Sequence, residues 1–526
     1  MTRAFTLVLA ALMLGAWGAG PACGRDRGAL VILRGSDSDN YDPVRSTARA
    51  SGEVLEMMGD TLTSMDWDLK TVRPGLAQSW DVSPGGLTYV FHLRAGVRFC
   101  DGRPMTAEDV AYSLNRLVAP ATHSPVAWRA GPVETITASD PLTVRYQLKR
   151  PYGELLAQLS LFFTTIVDRH AVETLGRDFG VRGFNGTGPY CWGGWQPRQE
   201  LVLHRHRGYD WGPPVYHSPV PQIDTIVWRV IPDDTSRLIA LQSDQGDVSQ
   251  YMPYYAIDGI ARTSGLHLAG QPAYRFDYIL GFKITKPVVG DPVIRRALQM
   301  AVDRKALASA VFFGQADAAD DYINPNAPDA VPVGVAAYDP EGARRLLEAH
   351  GWVLGPDGVR VRDGQRASFT LYAFSDPTDT ILSEVLQAYF HKVGIEMVVQ
   401  LWDATIGWSK LGTQEFGAFI MGYPYFSAHE ALNLFFSSHN IPTPNRMNWR
   451  DPETDRLLAD ASAAVDPAVR RDALTRLQEK LTQSDLWIPL GREKLWEVSS
   501  DRVQGVRAHG LYGIGLYKGL DMRLSP

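Results

Sequence analysis

Residues 429–433 read His-Glu-Ala-Leu-Asn, which opens like the helical His-Glu-x-x-His that grips zinc for hydrolysis, but Asn433 stands where the second imidazole is needed. The stretch is expected to be a polar turn entering a helix. Residues 37–42 have the acids of a calcium loop, yet Asp42 takes the sixth place, which needs glycine, and Ala48 the twelfth, which needs glutamate. Neither a Gly-x-Ser-x-Gly elbow nor a Gly-x-x-x-x-Gly-Lys-Ser/Thr phosphate loop is present. The chain is therefore expected to be no enzyme and to need no cofactor or metal. His204 and His206 alternate along a strand and read as a solvated face. What remains is aromatic: Tyr423, Tyr425 and Phe426 could stack on a planar ring, a sugar or a cation.

The chain has 526 residues, more than one hydrophobic core supports, so two or three lobes are expected. A formal charge of -6 and a pI near 6.1 argue against a nucleic-acid partner. Arg3, the apolar run 4–17 and the small residues Gly18, Ala19, Gly20 and Ala22 form a secretory signal, expected over residues 1–22. The mature protein should work outside the cytoplasm. Of the three cysteines, Cys23 sits where a lipoprotein would be lipidated, although Gly20 and Pro21 are atypical of that signal. Cys100 and Cys191 are left as a candidate disulfide pair for an oxidising compartment.

Local patterns supply the elements. Leu87, Tyr89, Phe91 and Leu93 alternate with Thr88, Val90 and His92, which marks a half-buried strand after the turn at 83–86. Thr106 and Asp109 form a capping pair ahead of an apolar face at Val110, Leu114, Leu117 and Val118. Residues 30–34, 142–148 and 223–230 read as strands, and 234–243 as a helix. Strand 368–374, helix 381–393 and strand 395–401 form a βαβ unit with a parallel pair.

The order of residues 74–110, together with Gly186-Thr187-Gly188-Pro189-Tyr190, Asp247-Val248, the run from Tyr338 to Leu347 and Trp487-Ile488-Pro489-Leu490, resembles the extracytoplasmic solute-binding proteins of ABC importers, in the peptide/nickel-type family known as family 5. The resemblance covers nearly the whole mature chain. It implies an α/β fold of two lobes, the type II-like Venus flytrap of periplasmic binding proteins, with an extra subdomain inserted in the first lobe. Lobe I is expected over 28–58, 186–285 and 498–526, the inserted subdomain over 59–185, and lobe II over 286–497. The implied partners are a small-molecule or peptide ligand and the ABC permease and ATPase subunits, with the protein a periplasmic monomer that meets the membrane only through the permease or a lipid anchor.

The resemblance also points to ligand residues. Peptide binders of this family hold the ligand's ammonium with an aspartate shortly after a Gly-Trp pair, and here residues 420–427 are Ile-Met-Gly-Tyr-Pro-Tyr-Phe-Ser. Phe426, or Tyr425 with a shift of one, falls where the acid belongs. Ordinary di- or oligopeptides are disfavoured cargo unless Glu430 or Glu415 substitutes, because a buried ammonium needs its carboxylate. Trp128 aligns with an aromatic residue that reaches the cleft in relatives, Arg129 stands beside it, and Arg49 lies in a segment that contributes ligand contacts. Arg49, Trp128, Arg129, Tyr423, Tyr425, Phe426 and Ser427 are the expected ligand-binding set. The expected cargo is a small organic solute with an aromatic, sugar-like or anionic part, such as an opine-like conjugate or modified peptide. The alternative from another class is a secreted hydrolase using cleft carboxylates.

Overall fold

The computed structural model describes residues 28–464 and 466–525. The signal at 1–22 and Cys23 lie outside the described residues.

A seven-stranded sheet carries lobe I, in the order Leu266–Gln271, Leu495–Ser500, Val248–Gln250, Ala29–Arg34, Thr225–Val230, Glu200–Arg205 and Tyr190–Gln196. Ala29–Arg34 is buried at every position because helices and loops cover both faces, which explains its unbroken apolar sequence. Lobe II is built on six strands in the order Ala316–Ala318, Trp487–Glu493, Phe276–Phe282, Ala418–Pro424, Ser368–Phe374 and Glu396–Trp402. Its parallel pair runs from Ser368 opposite Glu396 to Phe374 opposite Trp402, with helix Pro377–Lys392 as the crossover. That helix begins earlier than its apolar period suggests. Asp376 caps it and Pro377 fills its first turn, two features that carry no hydrophobic signal.

The chain crosses between lobes at 272–275 and returns through Lys494 alone, between Trp487–Glu493 and Leu495–Ser500. These crossings correct two expected boundaries. Phe276–Phe282 lies in the lobe II sheet rather than in lobe I, and Leu495–Ser500 is one lobe I strand that the expected division at 497/498 would cut. Strands long enough to pass from one lobe towards the other show no break in their pattern at the lobe edge.

Four antiparallel strands, Ala77–Val82, Thr88–Leu93, Thr143–Leu148 and Val133–Asp140, form the sheet of the inserted subdomain. Tyr89, Phe91 and Leu93 point into its core, as their alternation requires. Helix Ala107–Val118 covers that sheet and starts in a capping box, with the Thr106 N–H donating to Asp109 Oδ2 at 2.9 Å. Three devices tie the subdomain to lobe I. Arg116 donates to both carboxylate oxygens of Asp42, at 2.8 and 2.5 Å. Cys100 and Cys191 are disulfide-linked, with their Cα atoms 5.7 Å apart. Gly180, at φ +78°, packs so closely that an added Cβ would lie 2.3 Å from the Asp42 nitrogen. Gly180→Ala is expected to destabilise the protein by about 2 kcal/mol, through both strain and overlap, as read by chemical denaturation.

His204 and His206 do not share a solvated face. The strand ends at Arg205, so His206 turns inward, is buried, and sets Nδ1 2.9 Å from the Gly188 carbonyl oxygen, while His204 stays exposed.

Candidate functional site

Arg129 sits in the short turn Ala127–Ala130 of the inserted subdomain, and its guanidinium is aimed across the molecule into lobe II. There it meets Glu430 at 2.8 Å, with both side chains only 2% exposed. Burial opposes its charge, but the neighbouring Tyr512 and Glu430 outweigh that and raise its pKa. Gln158 Oε1 accepts a further hydrogen bond at 2.8 Å, and the rings of Trp128, Phe163 and Tyr512 lie 4.4, 4.5 and 4.7 Å from the guanidinium carbon.

Glu430 reaches this place because helix Ala428–Phe436 begins at Ser427, whose Oγ caps the chain by accepting the Glu430 N–H at 3.0 Å. The Glu430 carboxylate then folds back to accept the Phe426 N–H at 2.7 Å. An acid therefore does stand beside position 426, delivered from one helical turn later. Glu415, the other candidate substitute, is exposed.

A second contact between subdomain and lobe II lies next to the first. Glu154, 5% exposed, takes His429 Nδ1 at 3.0 Å, Arg470 at 2.9 Å and the Ser427 hydroxyl, and Arg470 also meets Asp329 at 2.6 Å. His429 Nε2 faces the Leu458 carbonyl oxygen at 3.2 Å, so the residue that resembled a zinc ligand is committed to the interface.

The aromatic residues require correction. Tyr423 follows Phe419 and Met421 on the inward face of Ala418–Pro424 and packs against Phe435 and Trp487, with ring centroids 4.4 and 6.1 Å away. Tyr425 donates to Asp277 Oδ2 at 2.5 Å and accepts the Asn324 N–H at 2.6 Å. Both are buried in the lobe II core, Tyr423 because strand alternation turns it inward and Tyr425 through its hydrogen bonds to Asp277 and Asn324. Phe426 is buried in the lobe I core cluster although its backbone belongs to lobe II, so it seals the lobes together. Ser427 is spent on its cap and on Glu154. Of the expected ring-stacking residues Trp128 alone stays substantially open, 38% exposed.

Arg49 lies further along the interface, as the first residue of helix Arg49–Met58. Its guanidinium carbon stacks 3.5 Å from the centroid of the Tyr251 ring. Gly513 packs so closely that an added Cβ would come within 2.7 Å of Arg49 Cδ. The Tyr251 hydroxyl points between Glu53 Oε1 and the Gly513 carbonyl oxygen, at 2.8 and 2.5 Å. Burial pushes up the carboxyl groups of Glu53 and Glu493, and the Arg49 charge pulls against it in both. Even so, among the described residues no carboxylate reaches ion-pair distance of Arg49. Residues 512–513 connect the two regions, with Tyr512 against Arg129 and Gly513 against Arg49.

A cavity opens at each end of this path. One of about 360 Å³ is lined by Trp128, Tyr152, Glu154, His429, Glu430 and Asp455. The other, about 430 Å³, sits beside the lobe crossings and is lined by Gln271, Tyr274, Asn324, Arg492, Glu493 and Trp496. Tyr274 and Glu493 are also neighbours of the Arg49 charge. Sequence reasoning did not find Glu53, Glu154, Tyr251 or Glu493. None of the four carried a distinguishing signal, since helix Arg49–Met58 holds Glu56 as well as Glu53.

Two α/β lobes joined by strand crossings, with charged and aromatic side chains meeting between them, define a two-lobed binding protein. A family profile described as bacterial extracellular solute-binding proteins, family 5, middle, matches residues 71–443, and the chain belongs to that family. It is 28% identical over 488 residues to the glutathione-binding protein GsiB of Salmonella paratyphi A, covering 90% of this chain and 91% of that one. Its fold is shared with the periplasmic binding protein DppA of Helicobacter pylori in complex with the peptide STSA, at TM-score 0.80 and 22% identity over 95% of this chain and 98% of that one. AgaA of A. tumefaciens R10 in complex with agropinic acid matches at TM-score 0.79 and 21% identity, over 95% and 99%. The chain is thus the substrate-binding component of an ABC importer, of a periplasmic, transport-associated class that hands a small ligand or peptide to permease and ATPase subunits. No helix among the described residues is long and apolar enough to cross a membrane.

Proposed function

We propose that this protein captures a small modified peptide or opine-like conjugate bearing a free carboxylate, holds it between the lobes, and delivers it unaltered to the permease. The observation that carries this reading is Arg49: a guanidinium held against Tyr251 with no carboxylate at ion-pair distance among the described residues. A bidentate carboxylate is the natural partner for such a fork. Glutathione for GsiB and agropinic acid for AgaA are both modified amino-acid compounds, and they support the same cargo class. An ordinary peptide is the weaker reading, since Glu430 already neutralises Arg129 and is not free for a ligand ammonium. The protein acts as a monomer, exported by a signal at 1–22.

Isothermal titration with glutathione, γ-glutamyl dipeptides, opines and α-linked tripeptides tests this. Binding is expected for the first three groups, with Arg49→Gln weakening it about 30-fold or more, as the loss of a buried charge-assisted pair requires. Chromatography of the recovered ligand should show it intact. Turnover would favour the hydrolase reading, and tight binding of α-linked tripeptides alone would remove the modified-peptide one.

A further inference from the structure

Cys100 belongs to the inserted subdomain, Cys191 to the lobe I strand Tyr190–Gln196, and His206 to the turn just past the strand Glu200–Arg205. Their side chains nevertheless meet. Both sulfurs and one imidazole nitrogen lie within 4.8 Å of one another. None of the three residues lines the cavity at Trp128 or the one at the lobe crossings. The backbone around them is held by hydrogen bonds as well as by the disulfide. The Cys100 N–H donates to the Gly186 carbonyl oxygen at 3.0 Å, and the His206 N–H to that of Pro189 at 2.9 Å. Cys191 is paired with His204 in the lobe I sheet. The His206 ring is fixed as well, with Nδ1 2.9 Å from the Gly188 carbonyl oxygen and Trp211 edge-on at 5.5 Å between centroids. A carbonyl oxygen can only accept, so Nδ1 carries the proton and Nε2 keeps a lone pair. Histidines that bind metals are set in the same way, by a carbonyl or carboxylate behind the ring. His206 is buried, whereas both cysteines are partly exposed, so a reagent in solution reaches the sulfurs.

We infer that Cys100, Cys191 and His206 form a redox-gated site for a thiophilic divalent ion such as zinc, closed while the cysteines are bonded to each other and opened by reduction. A dithiol reductant supplies two electrons and two protons, is itself oxidised to a disulfide, and leaves two thiols at 100 and 191. The incoming ion displaces both thiol protons to solvent. Two thiolates and a neutral imidazole then cancel its double charge, which lets it sit in a partly buried place. Two sulfurs on tetrahedral zinc stand about 3.8 Å apart, a separation that rotation of the two side chains provides once the bond is broken. Three protein ligands leave the fourth position to water. Thiolate and imidazole donors together favour zinc over magnesium or calcium, which take oxygen ligands. The ion would join Cys100 of the inserted subdomain to Cys191 and His206 of lobe I, so the two bodies keep a tether in either redox state.

Cobalt titration of the mature protein tests the site, with Cys23→Ser in every sample so that only the two thiols report. After reduction by a phosphine, one equivalent of cobalt is expected to bind, with a thiolate charge-transfer band and the visible bands of a tetrahedral ion. Zinc should displace it, and the oxidised protein should show none of these bands. His206→Gln should weaken cobalt binding by about 100-fold or more, since even the loss of a ligand's outer partner costs up to that much. Absence of the bands in the reduced protein overturns the site, whether the protein stays folded or unfolds and is not refolded by the ion. Unchanged affinity in His206→Gln also overturns it, by reducing the binding to that of two free thiols. Should His206→Gln fail to fold, alkylation of the otherwise unaltered reduced protein decides: one equivalent of zinc should protect both cysteines, and an unchanged rate of modification counts against the site.

Discussion

Glu154→Ala is expected to lose about 3–5 kcal/mol of the contact between the inserted subdomain and lobe II, because it strands buried partners rather than removing a pair. Arg470 keeps Asp329, but His429 Nδ1 and the buried Ser427 hydroxyl lose their acceptor. The Arg129 and Glu430 pair lies alongside and should loosen with it. Small-angle scattering should show a larger, more open molecule, and denaturation should separate into more than one transition. An unchanged scattering curve and a single unchanged transition would show that the contact follows closure without supporting it.

The pH dependence of that contact has a definite sign. Burial pushes the Glu154 carboxyl up, but His429, Arg470 and the Ser427 hydroxyl together outweigh it and hold it at about 2, below the ordinary 4.5. A carboxyl depressed by folding stabilises the protein fully above its unfolded value and progressively less below it. The contribution should therefore be intact above about pH 4.5 and fade as the pH falls towards 2, and Glu154→Ala should flatten that limb of the curve.

Replacing Cys100 and Cys191 together by serine is expected to cost about 4–5 kcal/mol, from the entropy of the chain that the bond closes. The two cysteines are 91 residues apart, and the enclosed segment contains the four-stranded sheet's last two strands and helix Ala107–Val118. Urea unfolding of the variant against the oxidised parent measures the difference. A loss under about 1 kcal/mol would show that residual structure already restricts the unfolded segment.

Much of the fold was legible because its elements carry periodic or capping signals. The alternation at 88–93, the Thr106 and Asp109 box and the βαβ unit at 368–402 all appear where their patterns put them. The lobe crossings were not legible. A strand that continues towards the next lobe looks the same on both sides of the edge, so Phe276–Phe282 could not be assigned by pattern. The site divided similarly. The family resemblance put Phe426 where an acid is expected and offered Glu430 as a substitute, but the reach of Glu430 back to the Phe426 N–H depends on how a capped helix turns its first carboxylate backward. Tyr423 and Tyr425 pack into the lobe II core, and aromatic composition alone does not say which side of the chain a ring takes. Glu493 lies at the opposite end of the sequence from Arg49, and no local pattern there marks it as a cavity residue.

The segment 509–517 completes the floor of the site: His509 Nε2 sits 3.0 Å from the Met65 carbonyl oxygen, Tyr512 flanks Arg129, Gly513 backs Arg49, and Gly515 lies against Glu497. These contacts reach both arginines from a segment far along the sequence from either of them, so neither guanidinium is oriented until lobe I and the inserted subdomain have folded onto that segment.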